Sequence, residues 1–166
     1  MRPVTTPERG RMNPWIGLAF VVLLLDQASK LAAEYWLVYH QSVALLPVLN
    51  LTLSYNPGAA FSFLGEAGGW QRWFFSAIAL GVSLYILWWL HQIRGRRHFL
   101  ACGLALVLGG AVGNLIDRLV HGYVIDFIHV YWRDWHYPIF NVADIGITVG
   151  VVMVMVYMIF LEPKQA

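Results

Sequence analysis

Residues 99–116 read FLACGLALVLGGAVGNLI, a run with no charged side chain. A helix rises about 1.5 Å per residue and the hydrocarbon core of a bilayer is about 30 Å thick, so this stretch nearly crosses by itself. Trp73–Leu90 and Ile145–Leu161 are likewise uncharged. Trp15–Leu25 is a fourth apolar run, which carries Asp26 and Lys30 before the pattern resumes to about Val38. One such run could be the buried helix of a soluble core. Four in 166 residues argue against that.

Composition agrees. The chain is 59% hydrophobic and only 12% charged, with a mean hydropathy of +0.60. A soluble domain carries about a quarter charged residues, so this chain cannot make a polar skin for its apolar side chains. A water-soluble enzyme, a disordered chain and a collagen-like chain are excluded. The length suits one compact unit, and a net charge of +2, scattered along the chain, does not suggest nucleic acid. Cys102 is the only cysteine. That excludes a disulfide framework and a cysteine zinc site, and leaves Cys102 as a small packing residue in mid-span.

The expected fold is an all-α membrane protein with four transmembrane helices, about 14–38, 71–91, 98–117 and 143–161, in a single domain 1–166. The first run resembles a signal peptide, but no small-residue cleavage site follows it before Asp26. It reads as a retained anchor. Arg2, Arg9 and Arg11 precede the first span, Arg94, Arg96 and Arg97 separate the second from the third, and Lys164 follows the fourth. The positive-inside rule makes that side cytoplasmic, with both termini inside and segments 39–72 and 117–143 outside. Leu49, Leu51, Leu53 and Tyr55 alternate with the period of a strand, and Asn56-Pro57-Gly58 is a turn signal. A small outward-facing β-element over about 42–65 follows. The second outer segment holds Tyr131, Trp132, Trp135 and Tyr137, which suits the headgroup region, so it reads as interfacial.

Polar groups near membrane helices are costly and are functional candidates by default. Asp26, Lys30, Asn114, Asp117, Arg118, Asp126, Asn141 and Asp144 all fall toward the outer ends of the spans. Helix-end snorkelling accounts for some of them. Asp26 and Lys30, four apart, can also form an ion pair, and Asp144 is favoured by the helix dipole in the first turn of the fourth span. Neither explanation covers Asp126, flanked by Val124, Ile125, Phe127 and Ile128. Two carboxylates at one depth in a low-dielectric site share a proton. One can then activate water while the other polarises a carbonyl, chemistry that asks for no metal and no cofactor. His121, His129 and His136 match no metal-binding spacing such as H-E-x-x-H and read as solvent-facing. The glycine stripe Gly109-Gly110-Ala111-Val112-Gly113 lets two helices approach closely and delivers Asn114 to the polar cluster. A small proton transporter or a non-catalytic scaffold are the rival classes.

Five blocks in order, Asp26-Gln27-Ala28-Ser29-Lys30, Asn56-Pro57-Gly58-Ala59-Ala60-Phe61-Ser62, Gly109 to Arg118, Val124-Ile125-Asp126-Phe127 and Phe140-Asn141-Val142-Ala143-Asp144, resemble the motifs of bacterial lipoprotein signal peptidase, signal peptidase II. The resemblance implies a membrane-embedded aspartic endopeptidase of the bacterial inner membrane. It would cut prolipoproteins before a diacylglyceryl-modified cysteine, with its site toward the periplasm. Asp126 and Asp144 match the catalytic aspartates. Asn56, Asn114, Arg118 and Asn141 match polar residues lining the site, with Asp26 and Lys30 in the first block and Gly58 at the tip of the β-element. The implied partners are prolipoproteins, membrane lipid and the cyclic peptide inhibitor globomycin, acting on a monomer.

Overall fold

The computed structural model describes residues 13–58, 69–93 and 97–162. Arg2, Arg9, Arg11, Arg94, Arg96 and Lys164, which carry most of the orientation argument, lie outside these residues, as do Ala59 to Ser62 of the second motif. Four helices are long and apolar enough to cross a membrane, as expected. They are α1 (Asn13–Trp36), α2 (Trp70–Ile93), α3 (His98–Val120) and α4 (Val142–Val156), the last continuing through a π-helical turn, Tyr157–Leu161. The chain is a multi-pass membrane protein.

Helix α3 is the axis of the bundle. In its most apolar window 67% of residues are buried, against 28, 22 and 17% in α1, α2 and α4. Those three helices therefore turn large side chains such as Phe20, Leu24, Trp88 and Phe160 outward, as lipid-facing helices do. Small residues let α3 take the central place. A Cβ on Gly109 would sit 2.5 Å from the Ala19 carbonyl oxygen of α1. One on Gly110 would collide with the Ala143 carbonyl oxygen of α4 and come within 2.9 Å of Ile147. The glycine stripe is a two-sided helix contact.

Gly110→Ala is accordingly expected to push α4 away and cost about 1–3 kcal/mol by overpacking, whereas Gly81→Ala meets nothing within 4 Å. Thermal unfolding of the two variants in one detergent checks this. Equal midpoints would contradict the close contact.

One end of the bundle carries a four-stranded antiparallel sheet in the order β1-β2-β3-β4. Its strands are β1 (Ser42–Leu46), β2 (Leu49–Asn56), β3 (Val124–Trp132) and β4 (Trp135–His136). Of the alternating apolar positions in β2, Leu53 is buried, and Leu51 and Tyr55 pack with it against Ala33, Ile125 and Phe127. Thr52 is buried as well, where the pairing with β3 shifts register. The second outer segment is more than interfacial, because β3 pairs with β2 along most of its length. Its first four residues are all buried. A strand covered on both faces shows an apolar run rather than alternation, which is why its sequence carries no period-2 signal. The pairing sets Ser54 opposite Asp126 and Asn56 opposite Val124, so the end of β2 is brought to the carboxylate of β3.

Candidate active site

Helix α1 contributes Asp26 and Lys30, α3 contributes Asn114, Asp117 and Arg118, the β2 end Asn56, β3 Asp126, and the start of α4 Asn141 and Asp144. The structure brings all of these to one end of the bundle, beneath the sheet.

Asn141 is the N-cap of α4 and makes a capping box with Asp144: its Oδ1 accepts from the Asp144 N–H, and the Asp144 carboxylate accepts from the Asn141 N–H. A side-chain acceptor at this position satisfies an otherwise orphaned helix N–H. Its other end faces the second acid. Asn141 Nδ2 donates to Asp126 Oδ1 at 2.7 Å and to Asn114 Oδ1 at 3.2 Å. Asp126 Oδ2 accepts from Asn56 Nδ2 at 3.1 Å, and Asp144 Oδ1 accepts from Asn114 Nδ2 at 2.9 Å. One asparagine thus joins the two acids, and two more flank them.

Asp126 is 2% exposed. Burial, and then the charge of Asp144, push its carboxyl up to about 7, against the pull of the Asn56 and Asn141 amides and of Lys30. A carboxyl in that range can hold or release a proton near neutrality, a common property of catalytic groups. Asp144 is partly exposed and borders an apolar cavity of about 230 Å³ lined by Tyr137, Phe140, Ile145, Thr148 and Val149.

Asp26 and Lys30 are not helix-end residues reaching for water. Lys30 Nζ lies 2.8 Å from Asp26 Oδ2, 2.8 Å from Asp117 Oδ2 and 2.9 Å from Asn114 Oδ1. All three side chains of this ion cluster are buried. Asp117 is readable from sequence as a polar residue but not as a partner of Lys30, and Gln27 is not among the expected site residues. Gln27 Nε2 donates to Asp117 Oδ1 at 2.9 Å. The signal available was its place beside Asp26 and three residues before Lys30.

Arg118 stands near the acids, and the charges of Asp144 and Asp126 act on its guanidinium. Among the described residues it donates from Nη1 to the Asn114 carbonyl, at 3.2 Å, with its guanidinium over the Phe75 ring. Its buried Nε has no partner among them. Gly58 supports the site through Asn56. Its N–H donates to Asn56 Oδ1 at 2.9 Å, which turns the Asn56 amide nitrogen toward Asp126. Its φ of +107° suits glycine, and a Cβ there would fall 2.8 Å from Phe75.

His129 and His136 meet on the sheet, while His121 caps the end of α3. His129 Nε2 lies 3.0 Å from His136 Nδ1, and His129 Nδ1 lies 3.2 Å from the Thr52 hydroxyl. Among the described residues no three His, Cys, Asp or Glu side chains are placed to hold a metal ion. Cys102 is half-buried in α3, twelve positions before Asn114 in the sequence.

Fold and site together define a multi-pass membrane protein with a buried carboxylate, Asp126, beside a partly exposed one, Asp144, at one end of its helices. The family model described as "Signal peptidase (SPase) II" matches residues 18–160, and the chain belongs to that family of proteases, which remove signal peptides from lipoproteins. A lipoprotein signal peptidase of Acinetobacter baumannii is 48% identical over 91% of this chain and 86% of its own length. That of Coxiella burnetii is 49% identical over 94% and 96%. Two solved structures, each described as a bacterial membrane enzyme, superpose with TM-scores of 0.81 and 0.82 at 27% and 26% identity. They cover 93% and 97% of this chain and 99% of their own.

Proposed function

We propose that the chain is an aspartic endopeptidase in which Asp126 and Asp144 form the catalytic dyad and water is the nucleophile. The carrying observation is Asn141, whose single side chain binds both the Asp126 carboxylate and the Asp144 backbone. A shared proton makes one carboxyl an acid and the other a base. The ionised member takes a proton from water as the water attacks the scissile carbonyl. The protonated member donates to the carbonyl oxygen, giving a tetrahedral diol. As the C–N bond breaks, the proton taken from water passes to the leaving amine, and a diol hydroxyl returns its proton to the other carboxylate, which restores the dyad. Arg118, with an Nε unpartnered among the described residues, supplies a donor for the substrate backbone, whose polar groups have no water to pair with in lipid.

The substrate is a prolipoprotein, cut just before a diacylglyceryl-modified cysteine. Its lipid stays among the acyl chains of the bilayer and fixes the depth of the cysteine. The apolar cavity beside Asp144 offers room for apolar parts of the precursor, and globomycin competes for the same site. The protein acts as a monomer in the bacterial inner membrane. Its termini are cytoplasmic and its dyad faces the periplasm.

Incubating the purified protein with a diacylglyceryl-modified precursor tests the activity. Cleavage before the cysteine supports the peptidase, proton flux in vesicles without cleavage supports a transporter, and neither supports a scaffold. Topology has its own test. Reporter fusions after Arg97 and Lys164 are expected to read cytoplasmic, and those near Gly65 and Trp132 to read outside, because the basic clusters abut the span ends. An outside reading after Arg97 would put the dyad at the wrong face.

A further inference from the structure

Among the described residues Lys30 bonds to neither Asp126 nor Asp144, yet every part of its environment leads to them. Its ammonium has three donors and no acceptor, directed to Asp26, Asp117 and Asn114. Asp26 turns its other oxygen, Oδ1, to the backbone N–H of Ala143 at 2.8 Å. Asp117 Oδ2 accepts the backbone N–H of Ile125 at 3.2 Å. Ala143 immediately precedes Asp144, and Ile125 immediately precedes Asp126. The two carboxylates that neutralise Lys30 therefore grip the chain one residue before each acid.

The third contact fixes a polarity. An ammonium can only donate, so the atom of Asn114 that faces it must be Oδ1. Nδ2 must then face Asp144. With Asn114 Oδ1 an acceptor, Asn141 must present Nδ2 to it, and it presents the same Nδ2 to Asp126. Each amide in the chain Lys30, Asn114, Asn141 has one orientation left, and each directs a donor at one acid. Turned the other way, an amide would set an oxygen against a carboxylate.

We propose that Lys30 is the positioning residue of the dyad: through Asp26, Asp117 and Asn114 it fixes the placement of Asp126 and Asp144 and the direction of the amides between them. The proposal rests on the dyad reading above. Lys30 is too enclosed to reach substrate, with 2% of its side chain exposed, so its role is exerted through its neighbours.

Lys30→Met alone strands two buried carboxylates and can lower stability for that reason only. Lys30→Met combined with Asp117→Asn keeps the formal charge of the cluster. The amide introduced at position 117 retains an oxygen for the Ile125 N–H and turns its nitrogen to the Gln27 amide, while the obligatory donor to Asn114 is removed. The double variant is expected to unfold near the parent temperature, with kcat lowered about 100-fold and KM for a diacylglyceryl-cysteine precursor changed less than about threefold, since sub-ångström misplacement acts on the reacting geometry. A folded double variant with parent-like kcat would overturn the proposal, as would a loss confined to KM. Unfolding of both variants would also overturn it, because Lys30 would then serve the fold itself. Asp126→Asn and Asp144→Asn run alongside keep the two ideas separable. If these are inactive and the double variant is active, only the role of Lys30 falls; if either is active, the dyad falls first.

Discussion

Asp126→Asn and Asp144→Asn are each expected to lower cleavage by about 10⁴-fold or more, and the double variant by little beyond either, because the two carboxyls act as one unit. The substitutions are nearly isosteric. Asp126 accepts one amide proton on each oxygen, from Asn141 and Asn56, so an amide at 126 turns its own N–H against one of them. The loss is about one hydrogen bond, roughly 1 kcal/mol, and both variants should insert and purify. The pH profile supplies a second check. Burial and the Asp144 charge raise the Asp126 carboxyl to about 7, and the active dyad holds one proton. As pH rises through that range the proton is lost, so kcat/KM of the parent, which follows the free enzyme, is expected to fall on the alkaline side at about 7. Activity in either single variant at about one tenth of the parent, with folding confirmed, would remove the dyad.

The four spans could be read from the sequence because membrane crossing is a property of composition over about twenty residues, and no tertiary partner is needed to see it. Asp126 was legible for a similar reason, as a carboxylate between Ile125 and Phe127 without a local excuse. Partner choice was not. Asp26 was expected to pair with Lys30, four residues away on its own helix, and it does. Its other oxygen holds Ala143, 117 positions along the chain, and no local pattern encodes that. Asp117 shared its outer-end position with residues that read as interfacial, and only the packing of α3 against α1 turns it inward to Lys30. Strand β3 was missed because its buried start removes the alternation that exposed β2. Arg118 is placed near the acids, whose charges act on it, while its hydrogen bond and ring contact go to Asn114 and Phe75. Spacing shows which residues share a depth, but the direction of each hydrogen bond depends on the fold.

Asn141→Ala is expected to cost about 1 kcal/mol of stability, the usual worth of an N-cap side chain, and to lower kcat by about 100-fold or more through loss of the pre-set geometry. The two effects have separate origins in one side chain. The stability effect belongs to Oδ1, which caps the Asp144 N–H at 2.9 Å. The rate effect belongs to Nδ2, which reaches Asp126 Oδ1 at 2.7 Å and leaves both Asp126 and Asn114 short of a donor when removed. Asn141→Ser divides them. A serine hydroxyl is a good N-cap but too short to span to Asp126, so it should recover most of the unfolding temperature and little of the rate. Thermal unfolding and single-turnover cleavage of the Ala and Ser variants, measured side by side, make the comparison. If serine restored the rate together with the stability, Asn141 would be a helix cap and nothing more, and the bond it makes between the two acids would have no part in the chemistry.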